Sequence, residues 1–243
     1  MGIMTREIYF GMAEILVGYS LIFPAIVRII PPLRRKFELL SDRDQNLFLR
    51  KCVSIVHCWF VCSLILYLQF NPHLCEQGWS KFSQIWIGFL WTDLFIGLLT
   101  KTAGFDDICH HILYGFVHLT IYRIDAGCLA FNVLQYRYYA DFFNQNMQLR
   151  LMLAMFGLKK SKLYYLNNRI ACWGFFLVRI AVIPFAWYKF YLQSNEMYMF
   201  TENVYIFTAT IIMLILSDWQ NLNWFSRMYA SCYKSKAINK KEN

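Results

Sequence analysis

Long apolar runs decide what this chain can become. Residues 8–30, 47–70, 82–100, 108–122, 165–192 and 199–225 hold few charged side chains, and one further apolar face starts at Ala126 and continues to Tyr139. About 20 such residues cross the hydrocarbon of a bilayer as a helix, which satisfies every backbone polar group within its own segment. Of the 243 residues 58% are hydrophobic and only 16% are charged, and the mean hydropathy is +0.35. These features predict an all-α, polytopic transmembrane helix bundle of seven spans. The run at 8–30 is too long for the h-region of a signal peptide and no small-residue cleavage site follows it, so it is read as a retained span.

The net charge of +9 does not point to nucleic acid, because the basic residues gather in the connections and the tail. Arg34, Arg35, Lys36 and Arg43 follow the first run, Lys101 follows the third, Lys159, Lys160 and Lys162 precede the sixth, and the tail is lysine-rich. With seven crossings all of these fall on one side, which predicts an outside N-terminus and a cytosolic C-terminus. Arg50 and Lys51 open the second run and are read with this cytosolic charge. A cytosolic tail gives Lys240-Lys241 the form of a dilysine retrieval signal, predicting the endoplasmic reticulum; an inner mitochondrial membrane is the alternative. The eight cysteines lie mostly inside apolar runs without a CxxC pair, so neither a disulfide framework nor a zinc site is indicated.

Against this apolar background the segment FDDICHHILYGFVHLTIY, 105–122, carries three of the five histidines. At 100° per residue, Asp107, His111, Tyr114 and His118 stack along one helix face, and Asp106 and His110 make a second pair beside them. Ionisable groups in lipid-embedded helices face a bundle interior or a wet cavity, so this face predicts the wall of a polar chamber. Asp93, midway along the third run, is expected to point into that chamber or at a histidine of the next helix. Glu14 is expected to face protein, and Pro24 to kink its helix.

Imidazole beside a carboxylate suits acyl transfer. On that reading His111, oriented by Asp107, is the base or nucleophile; His110 stabilises or relays, and Asp93 supports from the neighbouring helix. His118, Tyr114, Asn132, Arg137 and Arg179 are the expected substrate-binding residues, the arginines holding an anionic headgroup or a CoA phosphate. The plainer alternatives are histidines that tie helices by hydrogen bonds and arginines paired with Asp93 or Asp125. Adjacent histidines on a helix point about 100° apart, so no metal is expected. There is no phosphate-cradling Gly-rich loop, GxSxG elbow or haem signature.

Asp93, the Asp106-Asp107 and His110-His111 pairs, NVLQYRYY with Arg137, GLKKSKLYYLNN with Gly157 and Ser161, FFLVRI with Arg179, Pro184, and LNWF with Trp224 occur in an order and spacing that resembles the TLC-domain family. That family includes the ceramide synthases and the translocating-chain-associated membrane proteins. The resemblance covers roughly 82–228; residues 1–70 would then supply two N-terminal spans and 229–243 a basic cytosolic tail. It implies a ring of about six helices around a lipid-sized cavity, and a histidine pair that in ceramide synthases is catalytic in acyl transfer from acyl-CoA. The acidic stretch built on His-Asp and Ser-Asp that follows those histidines is absent after His118, so the resemblance is to a small lipid-related member.

Two functions of different class follow. One is a lipid acyltransferase-like enzyme, with acyl-CoA as donor substrate and no tightly bound cofactor. The other is a non-catalytic protein that binds membrane lipid or serves as an accessory subunit of a membrane complex, whether with copies of itself or with other proteins. No broken-helix pair or repeat supports a transporter.

Overall fold

The computed structural model describes residues 6–124, 139–201 and 203–239, and among them every regular element is helical. Helices α1 (Arg6–Val17) and α2 (Phe23–Ile29) are joined through a π turn, Gly18–Ile22, into one run. Pro24 has no N–H to offer the carbonyl of Ser20, and the π turn surrounds that carbonyl. The same device recurs where α8 (Lys162–Phe175) passes through a π turn, Phe176–Ile180, into α9 (Ile183–Thr201). There Pro184 cannot bond the carbonyl of Ile180, the last residue of the turn.

Helix α3 (Pro31–Glu38) opens on a proline after extended Ile30 and carries no buried residue. Ser41 caps α4 (Asp42–Phe70), its hydroxyl accepting from the Asp44 N–H at 3.2 Å, with Asp42 and Asp44 in the first turn. After Asn71 and a short 3-10 turn comes α5 (Cys75–Leu99), the most enclosed of the long helices. It stops at Lys101, whose φ of 53° lets the N–H groups of Thr102 and Ala103 both return to the Gly97 carbonyl, at 2.8 and 2.9 Å. Helix α6 (Phe105–Ile124) follows, and a 3-10 turn, Tyr139–Phe143, leads into α7 (Asn144–Met155). Gly157, at φ 73°, ends α7, and the Ser161 hydroxyl caps α8. The last helix is α10 (Val204–Asn239).

Four runs are long and apolar enough to cross a membrane: Arg6–Ile29, Asp42–Phe70, Gly78–Leu99 and Lys162–Asn195. They correspond to the first, second, third and sixth expected spans. The expected fourth falls within α6, the seventh runs from the end of α9 into α10, and the fifth lies almost wholly outside the described residues. The side chains support a membrane environment, because the distribution is inverted relative to a soluble bundle. Leu21, Trp59, Phe95, Leu177 and Trp219 lie on the outside, whereas Arg50, His57, Asp93, His111 and Arg179 lie within.

Helix α1 meets α5 at backbone contact. A Cβ on Gly11 would stand 2.1 Å from the Ile85 carbonyl oxygen, and one on Gly88 would stand 2.2 Å from that of Ile8. Two small residues facing each other allow this approach, as they do between membrane helices generally. The largest apolar cluster, including Val61, Ile65, Trp79, Phe82, Trp86, Val117, Phe190 and Leu214, then fixes α4, α5 and α6 against α9 and α10. Beside it the packing leaves a gap, and there the polar side chains converge.

Candidate functional site

Arg50 sits in the third turn of α4 and is 2% exposed. Its guanidinium grips Asp93 of α5 with two parallel bonds, Nε to Oδ1 at 3.0 Å and Nη2 to Oδ2 at 2.7 Å, and Nη1 donates to the Thr102 hydroxyl at 2.8 Å. This fork geometry is what makes arginine suited to a buried carboxylate. Gly97 lets the guanidinium pass, since a Cβ there would lie 2.6 Å from Nη1.

His111 of α6 closes the group. Its Nε2 stands 3.2 Å from Asp93 Oδ2, and its Nδ1 donates to the Leu90 carbonyl at 2.9 Å. Asp93 therefore does meet a histidine of the next helix. The partner expected for His111, Asp107, does not: its carboxylate accepts the Gly104 N–H at 3.4 Å, at the start of α6, and no hydrogen bond joins it to His111. One turn along a helix brings two side chains near each other, but a carboxylate in the first turn has a backbone N–H closer at hand. With both ring nitrogens engaged, His111 presents no free lone pair to the cavity.

His110 is placed differently. Its ring lies between Tyr114 and Trp224, with centroids at 4.4 and 5.3 Å, and its Nδ1 is buried without a hydrogen-bond partner among the described residues. The two histidines meet edge to face at 84°, as adjacent positions on a helix require. Both line a cavity of about 370 Å³, together with Asp93, Asp106, Asp107, Asp141, Lys51, His57, Arg150, Arg179 and Arg227.

The rest of the expected face divides. Tyr114 supports His110 from below and accepts from the Ser217 hydroxyl at 3.1 Å. His118 is fully buried outside the cavity, stacked on Trp86 and edge-on to Phe82. A face that runs three turns is longer than the cavity beside it, so its far end packs into the core. Arg179 does line the cavity, yet it is also an internal tie: Nη1 donates to Asn221 at 2.8 Å and Nη2 to Asn144 at 3.0 Å, 3.9 Å from Asp141. Its guanidinium also lies over the Phe175 and Trp224 rings. Asn132 and Arg137 lie outside the described residues.

Several residues here were hidden in the sequence. Arg50 and Lys51 read as loop charge at the mouth of an apolar run, but α4 begins at Asp42 and carries them two turns inside. Glu14 faces protein, as expected, and its partner is His57: the carboxylate meets Nδ1 at 3.0 Å, and the ring stacks flat on Phe89 with centroids 3.4 Å apart. His57 Nε2 is buried at the cavity wall with no hydrogen-bond partner among the described residues. Arg150 donates to the Ser231 hydroxyl at 2.9 Å and to Tyr164, and Arg227 pairs with Asp106 at 2.7 Å, half exposed at the mouth. Arg150 and Arg227 carry no comparable signal, because the turns before them are rich in Asn and Gln. Among the described residues no group of three metal-ligating side chains converges.

Compared with known protein families, with curated proteins and with solved structures, the chain matches none.

Proposed function

We propose that this is an integral-membrane protein whose chamber receives the polar end of a lipid, and that it is a small TLC-type member acting on that lipid by acyl transfer. The observation that carries this reading is a cavity lined by His57 and His110, each with an unpartnered buried ring nitrogen, among helices of membrane-spanning length. A soluble substrate would have to reach such a cavity past an apolar exterior, whereas a lipid is already there. In this account the chain crosses seven times, with a ring of helices around the cavity and the C-terminus in the cytosol. The endoplasmic reticulum is its compartment.

The geometry favours His110 over His111 for the proton. In the proposed transfer a hydroxyl or amine of the lipid acceptor attacks the thioester carbon of acyl-CoA while His110 takes the acceptor's proton. The carbon–sulfur bond then breaks, and the departing thiolate receives that proton, leaving an ester or amide and free CoA. His111, held by Asp93 and Leu90, positions its neighbour and the wall.

The engaged nitrogens of His111 favour a second reading, a non-catalytic lipid-binding protein or accessory subunit. Profiling the lipids of membranes that carry the wild type or His110→Ala separates the two. Acyl transfer is supported by an acyl-composition change that the wild type produces and His110→Ala, at equal abundance, does not. Identical profiles from wild type, His110→Ala and membranes without the protein would overturn catalysis and leave lipid binding.

A further inference from the structure

Four carboxylates and four lysine or arginine side chains line the chamber, but Arg50, from outside the lining, takes Asp93, and the cations left over name a ligand chemistry. Asp93 is held by Arg50, Asp106 by Arg227, Asp107 by the Gly104 N–H, and Asp141 by Asn144 beside Arg179. On the positive side, Lys51 lines the cavity at 9% exposure and makes no hydrogen bond or ion pair with any of the described residues. Arg150, reaching the same cavity from α7, has two neutral hydroxyls for partners and no carboxylate among the described residues. Arg179, 4% exposed, leaves its Nε unpartnered. Buried cations are retained where a counter-charge meets them, and no carboxylate among the described residues pairs with Lys51.

We propose that Lys51 and Arg150 hold a phosphate group on the amphiphile that enters the chamber. The inference rests on the reading of the chamber as a lipid site and adds to it the class of ligand. A phosphate monoester carries about −1.5 to −2 charge at neutral pH and several acceptor oxygens, which matches two cations on separate helices; a carboxylate would match one. Lys51 acts as a point charge and Arg150 as a planar fork, so the two present different donor geometries to one group. The phosphate comes either from a lipid headgroup or from a CoA thioester.

The full-length protein in mild detergent provides the test, read through the fluorescence of Trp86 and Trp224 at the cavity wall. The probes are dioleoyl phosphatidic acid, oleoyl-CoA and neutral dioleoylglycerol. The wild type is expected to bind at least one phosphate-bearing probe about tenfold or more tightly than dioleoylglycerol. Lys51→Met and Arg150→Gln should each remove that preference and leave dioleoylglycerol binding unchanged, and Lys159→Met, on the exposed surface, should alter nothing. The phosphate probe that binds tighter names the source. A melting curve checks each variant, and either one, if folded, decides the matter. Equal binding of all three probes, or a preference that survives both substitutions, overturns the phosphate assignment and leaves the lipid chamber standing. Binding of no probe overturns both.

Discussion

Asp93 meets Arg50 and His111 at once, and its removal would be felt by both. In Asp93→Asn the bidentate acceptor becomes an amide that offers one oxygen, leaving Arg50 buried without a full counter-charge and His111 Nε2 facing a neutral group. Breaking a buried pair by removing one partner costs about 3–5 kcal/mol. The expected result is a clearly lowered melting temperature in detergent; an unchanged one would show that the group does not hold α4, α5 and α6 together. Replacing both ends, Arg50→Met with Asp93→Leu, should recover part of the loss, because the buried charges go together. The exposed Arg227–Asp106 pair is a different case, and Arg227→Gln should cost no more than about 1 kcal/mol. At this scale the sequence was partly legible. Asp93 and His110-His111 stood out because ionisable groups are rare in apolar runs. Asp93's pairing with Arg50 did not, because it joins residues 43 positions apart and depends on where α4 begins.

The elements were read more securely than the pairings. Apolar length alone located the runs that became α1 with α2, α4, α5 and α8 with α9, since a helix is the form that satisfies its own backbone in lipid. Pro24 reads as a kink from the sequence, and the structure adds the π turn that precedes it, which depends on tertiary packing. The face expected to run from Asp107 to His118 lines the cavity only as far as His111, because Tyr114 packs under His110 and His118 packs among Trp86 and Phe82. The tightest contact between elements is α1 on α5, and it gives a sharp expectation. Gly11→Leu or Gly88→Leu places side-chain atoms where a backbone carbonyl now sits and must push the two helices apart. Overpacking of this kind typically costs about 1–3 kcal/mol, and backbone contact puts these sites at the upper end. Thermal unfolding in detergent measures it, with Gly104→Ala, where a Cβ meets nothing within 4 Å, as the tolerated control. Equal stability of all three variants would contradict the close crossing.

Taken as a whole, the described structure encloses a group of charges in its interior and turns many large apolar side chains outward. The two facts belong together: in a bilayer the polar groups of one helix find partners only on another, so the gap among α4, α5, α6, α7 and α10 collects them. The central claim is that this gap holds one lipid. Native mass spectrometry of the protein released from mild detergent tests it most directly, with Met147→Trp, which fills the gap, as the comparison. The account predicts one amphiphile retained per wild-type chain and lost from a folded Met147→Trp. A wild-type chain that emerges bare, or a lipid retained equally by both, would contradict it.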